Sequence, residues 1–372
     1  MRIVFTGGGT LGSVTPLLAL AEEIKKQGRH EFLWLGTATG PEHLLVEEWG
    51  IRFRAIQSGK LRRYFSRRNF FDPLRIVIGF FQSMVLLARF RAGVVLTAGS
   101  FAAVPVVFAA AVLRIPILVH QQDLRWGLAN KLMRPFARWV TVNFEENLAQ
   151  MPVRLRGRAH VVGNPVREAI RSVAENGGDR ALKYAKFNLD PAMPVFLALG
   201  GGTGAVALNE IVAAAVPGLA SFCQIVHLTG KEKRVKPPEG EWSRVYHWQE
   251  FLTKEMPDVY SLADVVLTRA GLGTLSELAF LGKAAIIVPM PGTHQEENAR
   301  HFGEKGGAMV IDQGKLTPEI LTKVVRELIM SEGARERLSA KMHKLANPNA
   351  AEEMANLVLH ERRTLASSRN MR

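Results

Sequence analysis

With 372 residues the chain is too long for one ordinary hydrophobic core and suits two domains with separate cores. A single cysteine, Cys223, excludes an intrachain disulfide framework, points to a reducing compartment and reads as a buried structural thiol. The net charge of +14 and a pI near 10.1 ask for an anionic partner, either nucleic acid or an anionic membrane surface.

The chain opens on Arg2-Ile3-Val4-Phe5, a short apolar strand that runs straight into TGGGTLGS. That start lacks the charged, apolar and cleavage regions of a signal peptide, so none is expected. Glycine suits such a turn because the backbone must take positive φ and let a phosphate come close, while the N–H groups of the next helix attract anions. A helix over 16–27 carries Pro16 at its first turn, where the missing N–H would have had no partner. Strands at 32–35, 53–56, 94–97, 117–119 and 140–142 alternate with helical patterns, which argues a parallel sheet with right-handed crossovers.

The stretch 60–91 holds half of the net positive charge, with eight basic side chains against the single acid Asp72. Arg62, Arg63, Arg67 and Arg68 mix there with Phe70, Phe71, Phe80, Phe81 and further aromatic and aliphatic residues. This composition suits a lipid interface better than a nucleic acid, which would not bury long aliphatics. Its uncharged run from Arg75 to Arg89 has thirteen residues, short of the roughly 20 of a membrane span, so peripheral docking is expected. The longer uncharged run at 94–113 contains Gly99, Ser100 and Pro105 and reads as buried strand, loop and helix.

A domain boundary is expected near Gly163-Asn164-Pro165, giving a first domain over 1–165 and a second over 166–344. The second resumes the pattern with Val195-Phe196-Leu197-Ala198-Leu199 followed by GGGTGA, then strands at 224–228, 245–247, 265–268 and 285–288. A helix at about 345–365 is expected to pack back on the first domain. The fold class is therefore α/β, two Rossmann-like halves with parallel sheets. Ligands in such folds sit outside the carboxyl ends of the strands, so two of these edges facing one another would make an interdomain cleft suited to group transfer.

Further strings sharpen the reading. After the strand at 265–268 come RAGLGTLSELAFLGKAAIIVP and MPGTHQEENARHF, and upstream lie HQQDLRWGLANK and GNPVR. A glycine-rich turn entering a helix offers backbone donors to phosphate, Glu277 suits two vicinal ribose hydroxyls, and His294 with Gln295 suits sugar hydroxyls. Arg269 and Glu277 could instead form a plain surface pair. His120 and His227, at strand ends, read as structural histidines.

Taken together from Ile3 to about Ala350, these strings resemble the MurG family of GT-B glycosyltransferases. The resemblance implies inverting transfer of N-acetylglucosamine from UDP-GlcNAc to undecaprenyl-diphospho-muramoyl-pentapeptide, in peptidoglycan synthesis, on the cytoplasmic face of the cell membrane. It implies UDP-GlcNAc, the lipid acceptor, an anionic membrane surface and other cell-wall synthesis proteins as partners, and no nucleic acid. Donor-binding positions carried over are Arg167, Gly202, Thr203, Leu252, Leu272, Gly273, Thr274, Leu275, Ser276, Glu277, His294 and Gln295, together with Thr10, Leu11 and Gly12 on the N-terminal loop that faces both the acceptor diphosphate and the sugar. Gly8, Gly9, Gly99 and Phe101 fall on the acceptor side, and the basic aromatic stretch falls on the membrane-facing patch.

Several positions depart from the family. Its first loop is usually GGTGGH, with the histidine a favoured general base; here that position is Ser13, and Leu11 replaces a glycine. The motif usually close to HEQN is His120-Gln121-Gln122-Asp123, and the usual phosphate-binding serine of the second loop is Gly202. Asp123 is therefore the expected base, set against a plain helix-capping role. No metal or cofactor is expected, since CxxC and DxD strings are absent. A GT-B relative with another acceptor, a UDP-GlcNAc 2-epimerase and a non-catalytic UDP-GlcNAc- or membrane-binding homologue remain open readings.

Overall fold

The computed structural model describes residues 1–59, 68–201 and 204–369, so Arg62, Arg63, Arg67, Gly202 and Thr203 lie outside the described residues. The chain divides into two compact units, Met1–Arg167 joined by Asn347–Arg372, and Glu168–Ala346.

The first unit is built on seven strands: β1 Arg2–Thr6, β2 Glu31–Gly36, β3 Arg52–Ala55, β4 Val94–Thr97, β5 Ile117–Gln121, β6 Trp139–Val142 and β7 Ala159–Val161. All neighbours are parallel, in the order β3-β2-β1-β4-β5-β6-β7. Because side chains alternate along a strand, β1 feeds two cores. Ile3 and Phe5 join Leu17, Leu20, Ile24, Trp34 and Leu96 on one face, while Val4 joins Leu33, Leu35, Val95, Val106 and Val140 on the other. With both faces covered, β4 and β5 are buried at every residue, which is why they read as unbroken apolar runs.

The terminal helix Ala350–Arg369 completes the first of these faces by inserting Met354, Ala355 and Val358 beside the helix Thr15–Lys26. Asn347 seals its entry by donating from Nδ2 to the Val162 carbonyl at 3.0 Å.

The helix Arg68–Phe90 connects β3 to β4. Its inner side turns Asp72, Gly79, Ser83 and Leu87 inward, packing against the helix Ala103–Val112. Its outer side exposes Leu74, Val77, Ile78, Phe81 and Val85. The stretch Asp72–Phe90 is long and apolar enough to cross a bilayer by length and composition, contrary to the thirteen-residue count. Arg75 and Arg89 sit inside this helix, and counting only between them shortened it. Its two ends lead into strands of a single sheet, and a crossing would place β3 and β4 on opposite sides of the bilayer.

The second unit holds six parallel strands: β8 Val195–Leu199, β9 Gln224–Leu228, β10 Tyr246–Gln249, β11 Val265–Thr268, β12 Ala284–Ile287 and β13 Ala308–Val310, in the order β10-β9-β8-β11-β12-β13. Phe196, Ala198, Val212, Val216, Leu267, Ile286, Leu321 and Val325 form its core. Cys223 is buried in it, and desolvation pushes its thiol up to about 12, so it is an inert packing group.

Val358 is fully buried, so Val358→Asp places an unpaired carboxylate in the core of the first unit. The substitution is expected to destabilise that unit by several kcal/mol, on the order of 3 or more. Amide exchange should quicken across 1–167 while the strands of 168–346 keep their protection; uniform protection would show that the terminal helix is dispensable.

Candidate functional site

In each sheet the strand order reverses once, between β1 and β4 in the first unit and between β8 and β11 in the second. Crossovers leave these two strands in opposite directions, so a crevice opens at their carboxyl ends.

In the first unit the glycine-rich loop follows β1 and is held from three sides. The Gly7 carbonyl accepts from Trp34 Nε1 at 3.0 Å, the Gly8 carbonyl accepts from Ser100 Oγ at 2.7 Å, and the Gly9 N–H donates to Glu42 Oε2 at 3.0 Å. Gly9 has φ +77°, and a Cβ there would stand 2.7 Å from the Phe101 ring, so no other residue fits. Ser100 itself sits at φ +93°, a strained conformation for a residue with a Cβ, and its hydroxyl links the loop after β4 to the loop after β1. Gly99, beside it, is buried. Thr10 and Gly12 are exposed, whereas Leu11 packs on the core and can offer a ligand only its backbone. Ser13 is 8% exposed, and its Oγ has no partner among the described residues.

At the end of β5, His120 is fully buried between Thr141 Oγ1 and Asn164 Oδ1, each 3.0 Å from a ring nitrogen. Gln121 donates from Nε2 to the carbonyls of Asp123 at 2.7 Å and Arg125 at 3.1 Å, and its Oε1 accepts from Asn130 Nδ2 at 2.7 Å. A carboxylate could not donate to those carbonyls, so this position holds the turn rather than a proton. Asp123 is half-buried in that turn. The following helix, Leu128–Met133, starts from Gly127, so Asp123 is not its cap.

In the second unit, the loop after β8 takes positive φ at Gly201 (+77°) and Gly204 (+68°), where a side chain on Gly204 would strike the Thr229 carbonyl. After β11, Gly271 begins the helix Leu272–Phe280, whose first amides, Gly273 and Thr274 among them, have no acceptor one turn back and carry the positive end of the helix dipole. Leu272 and Leu275 are buried, leaving only their backbone to a ligand. Ser276 and Glu277 are 8% and 7% exposed and lie in the helix that follows the glycine turn.

Arg269 is 5% exposed, which rules out a surface pair with Glu277. Its guanidinium donates to the carbonyls of Val288 and Pro289 at 3.1 and 3.2 Å and to Gln313 Oε1 at 2.6 Å, while Nε has no partner among the described residues. Leu252 is half-buried in the loop between β10 and the helix Met256–Leu262. His294 is exposed at the start of the helix Gln295–Glu304, and Gln295 Oε1 accepts from the Met290 N–H at 3.1 Å. Arg167, 9% exposed, is the last residue of the first unit's main segment.

Phe80 and Phe81 lie edge to face on the helix Arg68–Phe90, with centroids 5.2 Å apart. The backbones of Arg68, Phe70 and Phe71 belong to its first turn. Among the described residues, no three His, Cys, Asp or Glu side chains converge to hold a metal ion. Glu42, Trp34 and Ser100 were missed in the sequence because their partners in the glycine loop lie 33, 27 and 92 residues away.

Two fully covered parallel sheets, each with a glycine-rich loop at its reversal point, define the GT-B class of glycosyltransferase folds. The chain matches the glycosyltransferase family 28 N-terminal domain over residues 3–142 and the family 28 C-terminal domain over residues 195–356. It is 34% identical over 361 residues to the UDP-N-acetylglucosamine--N-acetylmuramyl-(pentapeptide) pyrophosphoryl-undecaprenol N-acetylglucosamine transferase of Lachnospira eligens, covering 96% of this chain and 98% of that protein. Among solved structures it is similar to Acinetobacter baumannii MurG, with 26% identity, a TM-score of 0.69 and coverage of 96% and 99%. The UDP-GlcNAc 2-epimerase of Neisseria meningitidis has the same TM-score of 0.69 at 15% identity, over 96% and 100% of the two chains, and shares the fold alone. The chain belongs to glycosyltransferase family 28 and, within it, to the MurG family.

Each unit also carries a buried histidine tied to an asparagine. His227 bonds Tyr246 Oη at 2.9 Å and Asn209 Oδ1 at 3.2 Å, matching the pattern at His120. Burial lowers both histidines to about 4. Their folded values lie below the unfolded 6.5, so the unfolded chain binds more protons between pH 4 and 6.5, and stability present above 6.5 is lost as pH falls through that window. The loss is on the order of 3 kcal/mol per histidine. The urea midpoint should therefore drop from pH 7.5 to pH 5, and His227→Gln should flatten the part of the slope that belongs to the second unit; an unchanged slope would contradict neutral burial of this ring.

Proposed function

We propose that this protein transfers N-acetylglucosamine from UDP-GlcNAc to a muramoyl-pentapeptide carried on undecaprenyl diphosphate, with inversion at C1. The observation that carries this reading is the pair of reversal-point glycine loops in a chain matching, nearly end to end, transferases named for that reaction. The low-identity likeness to epimerases supplies no comparable support for the rival reaction.

The donor sits on the second unit. Its diphosphate meets the N-terminal amides of the helix Leu272–Phe280, with Gly273 and Thr274 among them, and the Arg167 guanidinium. Leu252 meets the uracil through its backbone, Glu277 accepts from the ribose hydroxyls, and Gln295 and His294 meet the sugar. The acceptor diphosphate sits at Gly8–Gly12 on the first unit, beside Gly99 and Phe101.

Reaction forms a bond from the acceptor hydroxyl oxygen to C1 of the sugar, on the face opposite the departing group, and breaks the bond from C1 to the UDP oxygen. The hydroxyl proton passes to the Asp123 carboxylate, and UDP leaves with the bonding electrons. Ser13, buried and with no hydrogen-bond partner for its Oγ among the described residues, has no means of taking that proton. Developing charge on UDP is met by backbone amides and the helix dipole, which are oriented before reaction starts.

The enzyme docks on an anionic membrane surface through the helix Arg68–Phe90. A helix at a protein surface ordinarily turns polar residues outward, but here Leu74, Ile78, Phe81 and Val85 make a second apolar stripe at helical spacing, opposite the packed one. Val112, Leu132 and Phe136 are exposed on neighbouring elements, with Phe136 against Phe108 at 5.3 Å between ring centroids. The exposed Arg75 and Arg89 of the same helix supply positive charge to this interfacial patch.

Labelled UDP-GlcNAc incubated with the lipid acceptor in vesicles should pass its label into the lipid phase. Asp123→Asn should lower kcat by about a hundredfold or more while calorimetry with UDP-GlcNAc stays unchanged, since the residue acts on the acceptor's proton. Wild-type turnover in that variant would remove Asp123 from the base role. The double substitution Ile78→Glu with Phe81→Glu should reduce sedimentation with anionic vesicles by about tenfold, with UDP-GlcNAc binding retained. Undiminished sedimentation would take the docking face elsewhere.

A further inference from the structure

The Glu42 side chain is fully buried, yet no cation pairs with it among the described ion pairs. Its charge is met by hydrogen bonds alone. Oε1 accepts from the Thr37 N–H at 2.8 Å and from Thr37 Oγ1 at 2.5 Å, and Oε2 accepts from the Gly9 N–H at 3.0 Å. Thr37 follows β2, Glu42 begins the short helix Glu42–Glu48, and Gly9 lies in the loop after β1. One carboxylate thus ties two loops at the sheet's carboxyl edge.

The surroundings leave it nowhere else to go. A Cβ on Gly8 or on Gly40 would collide with the Glu42 carboxylate, so both glycines keep open the space that the carboxylate fills. Trp34 Nε1 and Ser100 Oγ hold the Gly7 and Gly8 carbonyls, and the Gly9 amide, which could have pointed at a bound anion, is turned inward. The amide is therefore spent on shape, and anion contacts fall to the exposed part of the loop at Thr10 and Gly12.

We propose that Glu42 is a positioning residue for the acceptor, fixing the path of the loop Gly7–Gly12 before substrate arrives. This rests on the reading that this loop receives the lipid diphosphate. Glutamine in its place would keep the shape but present an NH2 group to donors, so either the Gly9 bond or a Thr37 bond is lost. Aspartate is shorter by one methylene and keeps the charge.

The test uses the full chain with Glu42→Gln, Glu42→Asp and Gly40→Ala. Gly40→Ala displaces the carboxylate without changing the sequence of the loop Gly7–Gly12 or the charge, and so serves if the glutamine variant folds poorly. Kinetics are read with the lipid-linked acceptor and UDP-GlcNAc, donor affinity by calorimetry with UDP-GlcNAc, and loop order by amide exchange. Glu42→Gln and Gly40→Ala are expected to raise the acceptor KM about tenfold with a smaller effect on kcat, to leave the donor Kd within about twofold, and to quicken exchange at 7–12. Glu42→Asp should recover part of the acceptor KM. Donor and acceptor terms worsening together, or unaltered acceptor KM and unaltered loop exchange, would overturn the proposal. A wild-type enzyme that transfers no label would instead count against the functional reading, while the exchange data would still decide whether Glu42 orders the loop.

Discussion

A parallel sheet covered by helices on both faces leaves one margin on which chemistry can be mounted, the row of loops at the carboxyl ends of its strands. Backbone groups within the sheet are paired, and its side chains are committed to two cores. Each unit repeats this constraint, and in each the reversal of strand order opens one gap in that margin. Glycine loops occupy both gaps because only there must the backbone turn sharply and still present N–H groups outward.

Holding such loops in place falls to buried polar side chains, and these solve the same difficulty in different ways. Gln121 uses an amide because its turn offers carbonyls as well as a donor. Glu42 uses a carboxylate because its neighbours offer only donors. His120 and His227 stay neutral and bridge a hydroxyl on the neighbouring strand to an asparagine outside the sheet. In each case the choice of group follows from the balance of donors and acceptors left over by the backbone.

Much of this architecture was legible in the amino-acid order. Runs such as Val94–Thr97 and Val195–Leu199 are β-branched, aliphatic or aromatic throughout and lead into glycine-containing turns, and they are strands buried on both faces. The short edge strands Ala159–Val161 and Ala308–Val310 were not legible, since an edge position carries mixed side chains and only three residues of pairing. Tyr246–Gln249, at the other edge of its sheet, was displaced by one residue at its start and two at its end for the same reason. Glu42 and Ser100 hid because sequence patterns report neighbours a few positions apart, and their partners are remote. Arg269 misled because a charged residue is ordinarily exposed, and nothing local announces the carbonyls of Val288 and Pro289 that receive it.

Arg269 has a consequence for how the protein responds to its ionic surroundings. Its guanidinium is sunk beneath the strand end that leads into Gly271 and donates to the carbonyls of Val288 and Pro289 and to Gln313 Oε1, neutral acceptors that do not cancel its charge. Dissolved ions cannot approach closely enough to shield such a charge, in contrast to the exposed Arg75 and Arg89 of the helix Arg68–Phe90, whose reach shrinks to about 8 Å in physiological saline. The protein therefore carries cations of opposite sensitivity to electrolyte, those on the exposed helix tuned by the medium and the one beneath β11 fixed by the fold.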